Sequence, residues 1–124
     1  MPYIDGFVLA VPAASKQEFI EHAEFVDSLI IEFGATRILE CWADDVPDGE
    51  VTDFRRAVQA KEDEEVVFAW VEWPDKATRD AGMKKMQEQA ANDERWDPEK
   101  NPPPFDGKRM VWGGFKPVVE LNTG

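Results

Sequence analysis

The stretch Glu65-Val66-Val67-Phe68-Ala69-Trp70-Val71-Glu72-Trp73, closed by Pro74, decides how the rest of the chain is read. Most of its positions are β-branched or aromatic, which suits a pleated strand. Proline cannot donate to a ladder, so Pro74 ends it. Side chains alternate between the two sides of a strand. Val67, Val71 and Trp73 therefore share one face, and Phe68 and Trp70 share the other. Both sets are apolar, so both faces of the sheet need cover.

Toward the N-terminus, Tyr3–Val11 (YIDGFVLAV) reads the same way and stops at Pro12. Tyr3, Phe7, Leu9 and Val11 lie on one face; Ile4, Val8 and Ala10 lie on the other. Ser15-Lys16-Gln17-Glu18 has the form of a capping box. It predicts a helix over 16–33 with Phe19, Ala23, Val26, Ile30 and Phe33 near one stripe. Gly34 follows where a left-handed residue closes a helix. Ala35–Ala43 is a strand with Ile38, Glu40 and Trp42 on one side and Arg37, Leu39 and Cys41 on the other. The run from Asp44 to Gly49 is turn chemistry. Residues 52–60 are read as an edge strand in preference to a short helix, with Lys61–Glu64 turning into the central strand. Beyond Pro74, Asp75 caps a helix over 76–92, a proline-rich surface loop follows over 93–106, and Lys108–Phe115 forms the last strand. The tail is expected to fray from Leu121 onward.

The order β-α-β-(β)-β-α-β gives one α+β domain over residues 1–124, ferredoxin-like with an antiparallel sheet. Helices of that arrangement cover one sheet face only. A second copy of the same sheet is the simplest cover for the other, which makes a dimeric α+β barrel and a homodimer the expectation.

The chain has 124 residues, 26 acidic and 14 basic side chains, and a net charge of -12. Such a surface repels nucleic-acid phosphates and anionic lipid. One cysteine, Cys41, excludes an intrachain disulfide and a cysteine-rich zinc site. No stretch approaches the length of a membrane span. The expectation is a cytoplasmic protein without metal or cofactor, with no membrane or nucleic-acid partner.

Glu40 and Glu72 stand out because each interrupts a strand that otherwise looks buried. A carboxylate facing an enclosed cavity has its pKa raised and can act as an acid or base. The plainer reading pairs each with Arg37, Arg55, Arg56 or Arg109. Trp42, Trp70 and Trp112 would line a pocket for a flat apolar ligand, or simply fill the core. His22, the only histidine, lies at the edge of the first helix's apolar stripe and completes the candidate set with Arg109. The clustered Asp44, Asp45, Asp48 and Asp53 match no calcium-loop spacing.

The blocks YIDGFVLAVP (3–12), FGATRILECWADDVPDGEVTDF (33–54), EVVFAWVEWPDKATRDAGM (65–83) and FDGKRMVWGGF (105–115) together resemble the YbaA-like family, bacterial proteins grouped as a domain of unknown function. The resemblance spans nearly the whole chain and departs most over 87–104. It implies the dimeric α+β barrel fold and brings no established activity or catalytic residues. By analogy at the level of fold alone, cofactor-independent monooxygenases acting on small aromatic or polyketide-like compounds are one functional class to weigh against a binding or interaction module.

Overall fold

The computed structural model describes residues 1–97 and 99–123. Pro98, in the expected surface loop, and Gly124, in the expected fraying tail, lie outside the described residues. The elements run β1 (Tyr3–Pro12), α1 (Lys16–Glu32), β2 (Arg37–Trp42), α2 (Phe54–Ala57), β3 (Glu64–Trp73), α3 (Lys76–Asn92) and β4 (Val111–Phe115). The sheet order is β2-β3-β1-β4, antiparallel at every pairing. Each helix crosses over one strand, α1 from β1 to β2 and α3 from β3 to β4. This is the ferredoxin-like α+β arrangement expected from the order of elements, and within one chain the sheet is open rather than closed into a barrel.

Register decides which side chains meet the helices. Tyr3 stands opposite Trp73, Phe7 opposite Ala69 and Leu9 opposite Val67. Ile38 stands opposite Val71, Glu40 opposite Ala69 and Trp42 opposite Val67. These residues form the helix-side layer. Leu9, Val11 and Val67 pack with Phe19 and Ala23 of α1, flanked by Trp42, Phe105 and Met110. Tyr3, Val71 and Trp73 pack with Ala35, flanked by Phe7, Ile30, Ile38 and Met83. The opposite face carries Ile4, Val8, Phe68, Trp70, Val111 and Phe115. Only one end of it is covered, where Val58 packs on Ala10 and Val66. Phe68, Val111 and Phe115 stay 42%, 50% and 61% exposed.

Three local expectations are corrected. Ser15 makes no capping hydrogen bond. A 3-10 turn over Ala13–Ser15 leads into α1, and Ser15 sits at φ -102°, ψ 16°. A capping side chain needs an extended backbone to aim at the first-turn N–H groups. Residues 52–60 are not an edge strand. The Asp53 carboxylate accepts from the Arg56 N–H at 2.7 Å and starts the single-turn α2, while Arg55 donates to the Lys61 and Glu64 carbonyls. Side-chain capping outweighs the weak alternation of the segment. The last strand begins at Val111 rather than Lys108, because Asp106 caps a 3-10 turn over Gly107–Arg109. Gly34 does end α1 as expected, at φ +125°.

Candidate functional site

β2 is an edge strand, and α1 packs over it. The side chains of the two elements do not close on each other. A groove of about 430 Å³ remains, with apolar walls from Phe19, Ile20, Ile31, Ile38 and Trp42. Glu40 rises from β2 into this groove, and Asp27 descends from α1 to meet it. Both carboxyl groups line the groove, close enough to share a proton. Lys16 stands at one end of the groove with Nζ 5.2 Å from the centre of the Trp42 ring.

Like charges at close range cannot both ionise cheaply. Desolvation by the apolar walls pushes Glu40 up to about 8, with Asp27 adding to the rise through its hydrogen bond and its charge. Asp27 is raised as well, again chiefly by desolvation. Glu40 nevertheless reaches solvent through the open side of the groove. The pair is therefore a proton-holding group accessible from outside, not a sealed core defect.

A second cavity of about 200 Å³ lies under the other flank of α1. Asp27 and Glu40 line it too, together with Phe7, His22, Phe105 and Met110. The His22 ring meets Phe105 edge-on at 5.7 Å, and partial burial lowers its pKa. The carboxyl pair thus stands between two recesses on either side of one helix.

The structure brings Glu40 and Trp42 together in the groove and sets His22 beside the second recess. It separates them from the other candidates. Glu72 and Trp70 lie on the opposite, open face. There Glu72 accepts from the Trp70 indole N–H at 3.2 Å and pairs across strands with Arg37 at 3.9 Å. Trp112 stacks on Phe7 at 6.5 Å yet stays more than half exposed on β4. Arg109 is engaged elsewhere, donating twice to the buried Glu64 carboxylate at 2.7 Å and once to the Gln59 carbonyl. Among the described residues, no group of three acidic, histidine or cysteine side chains gathers as a metal site would need. Asp53 of the acidic loop is occupied with Arg56 and the Gly49 N–H.

Sequence reading missed Asp27. Its one available signal was a carboxylate four residues after Ala23 on the buried stripe of α1, a position where an apolar residue is the norm. Asp5 was missed as well, at the centre of β1 and 1% exposed.

Fold and groove define a ferredoxin-like α+β protein with a recess between helix and sheet edge. Residues 2–107 match the family model described as protein of unknown function DUF1428, and the chain belongs to that family. It is 53% identical over 120 residues to an uncharacterized protein YbaA of Escherichia coli K12, covering 97% of this chain and 99% of that protein. The Shigella flexneri YbaA matches to the same extent. Among solved structures, a dimeric ferredoxin-like protein from an uncultured marine organism superposes with TM-score 0.62 at 12% identity, over 98% of this chain and 100% of that one. An uncharacterized NIPSNAP domain protein from Burkholderia xenovorans gives 0.56 at 16% identity, over 97% and 98%. At these identities the likeness is one of fold.

Proposed function

We propose that this protein is a cytoplasmic homodimeric module that binds a small organic molecule in the groove between α1 and β2. The observation that carries the reading is the groove itself, in which the Asp27 and Glu40 carboxyl groups stand together among apolar walls and open to solvent. Ligand sites combine apolar surface with a few convergent polar groups. A pair of like-charged carboxyl groups has no structural benefit that apolar residues would not supply better. The dimer is supported by the exposed apolar side chains of the open sheet face and by the dimeric state named for the marine-organism structure. Phe68→Asp should convert a particle of twice the 14.1 kDa chain mass to a monomer in sedimentation, and a wild-type monomer at micromolar concentration would remove the dimer from the proposal.

The elevated Glu40 supports one alternative, an enzyme without cofactor that uses the pair as acid and base on a small aromatic or polyketide-like compound. Both readings share one test. A thermal-shift screen of small organic compounds is run on the wild type, Glu40→Gln and Asp27→Asn. Compounds well above their Kd should raise the wild-type melting temperature by mass action. Loss of the same shifts in both variants locates the ligand at the pair; hits that are indifferent to both variants place it elsewhere and sink the reading.

A further inference from the structure

The polar lining of the groove favours one class of ligand. Glu24, Asp27 and Glu40 present carboxyl oxygens, and the Ser28 hydroxyl already donates to the Glu24 carbonyl, which leaves its lone pairs free. Among the described lining residues Lys16 is the only cation, and its ammonium lies over the Trp42 ring. The lining is thus rich in acceptors and poor in free donors. An aromatic face that attracts an ammonium ion stands on the same strand as Glu40. From the groove's volume, its apolar walls and this acceptor-rich lining we infer that the ligand is an organic ammonium ion, with its charged nitrogen at Asp27 and Glu40 and a flat apolar body along Phe19, Ile38 and Trp42. This rests on the groove being the ligand site.

The proton balance follows from the facing carboxyl groups. An ammonium ion replaces the proton held between Asp27 and Glu40: its N–H groups donate to both oxygens, and the displaced proton leaves to solvent. No bond to carbon forms or breaks. Affinity should therefore rise with pH while the pair still holds its proton, up to about 8. The other titratable groups facing the pair are Lys16, Glu24 and, through the second recess, His22. Lys16→Gln, Glu24→Gln and His22→Gln separate their contributions from that of the pair.

The probes are 1-naphthylmethylammonium, its neutral isostere 1-naphthalenemethanol and the anion 1-naphthoate, each titrated calorimetrically against the intact protein. The ammonium should bind about tenfold or more tighter than the alcohol, and its affinity should climb about tenfold between roughly pH 6 and 8 with proton release into the buffer. The anion should bind weakest. Glu40→Gln and Asp27→Asn, shown folded by circular dichroism, should each erase the preference for the ammonium over the alcohol and the proton release. Lys16→Gln and His22→Gln should each retain both, while Glu24→Gln, which removes one lining carboxylate, should weaken the preference and keep the proton release. Equal or tighter binding of the alcohol or the naphthoate, lost in Glu40→Gln, would overturn the ammonium assignment while leaving the groove as a ligand site. No binding of any probe at about 1 mM would count against the ammonium, and compounds found in the thermal-shift screen would then show whether the groove binds another class.

Discussion

The two halves of the helix layer, one under α3 and one under α1, treat a carboxylate on the sheet in opposite ways. Under α3, Asp5 meets an arginine. Arg79 Nη2 donates to it at 2.9 Å and Nε at 3.1 and 3.2 Å, while the Trp73 indole N–H donates at 2.9 Å. The Arg79 guanidinium also lies 5.3 Å from the centre of the Tyr3 ring. The Asp5 carboxylate, the Arg79 guanidinium and the Trp73 indole N–H are all partnered there, and Trp73 fills the space beside them with 1% exposure. Under α1, Asp27 meets Glu40 with no cation bonded to either among the described residues, and the space beside them stays open. The first arrangement is how a buried charge is made tolerable in a core. The second is how a site keeps a group available for something from outside. The difference teaches that the α3 half closes around its carboxylate while the α1 half leaves its own beside an open groove.

The largest test of this contrast breaks the satisfied half. Asp5→Ala leaves the Trp73 N–H and the Arg79 Nε and Nη2 without their partner, with only Nη1 still held by Asp80, and should cost about 3–4 kcal/mol in urea unfolding. A loss below about 1 kcal/mol would show that water replaces the carboxylate there and that the two halves do not differ as described.

A second test reads how tightly α3 sits. A Cβ at Gly82 would stand 2.7 Å from the Trp73 ring and 3.0 Å from the Phe33 carbonyl oxygen. Alanine is the better helix former by about 1 kcal/mol, so propensity alone predicts that Gly82→Ala stabilises. Overpacking should win, with a net loss of about 1–3 kcal/mol by thermal melting. A more stable variant would mean α3 can lift off Trp73 freely.

The smallest effect is expected in the unsatisfied half, and its sign reverses. Glu40 holds its proton more tightly when folded than its ordinary value of 4.5, being raised to about 8. The native state then binds more protons than the unfolded chain, so this group's contribution falls as pH rises from about 4.5 to 8. Glu40→Gln removes that decline. With solvent screening allowed for, it should stabilise the protein by about 0.5–1 kcal/mol near pH 9 and by little near pH 4. Glu64 supplies the opposite slope. The Arg109 side chain holds it down to about 2, so its stabilisation is present above 4.5 and is lost as pH falls toward 2. Chemical unfolding of the wild type and Glu40→Gln across that range separates the two limbs. An unchanged alkaline limb in Glu40→Gln would show that the pair does not hold its proton.

Much of this molecule is legible in the pattern of its residues. Alternation separates Val67, Val71 and Trp73 from Phe68 and Trp70, and the register agrees; the packing of the helices then selects the first set as the inner face. Both long helices fall where their stripes, Gly34 and Asp75 put them. The less legible stretches are those governed by side chains bonding to backbone. Asp53 and Asp106 turn 54–57 and 107–109 into short helical turns against weak strand patterns.

The sequence by itself determined the order of the four main strands and two long helices and the two faces of each strand, because periodicity records where a side chain points relative to its own backbone. Only the tertiary structure decided which groups face each other. Glu40 and Glu72 look alike as strand carboxylates, yet one meets Asp27 in a groove and the other meets Trp70 and Arg37 on the open face. Asp5 has no distinguishing mark in the sequence; its role comes from Arg79 closing on it. No spacing rule links a helix residue to a residue on the edge strand it crosses; that pairing depends on the tilt of α1 over the sheet, which is set by the summed packing of both.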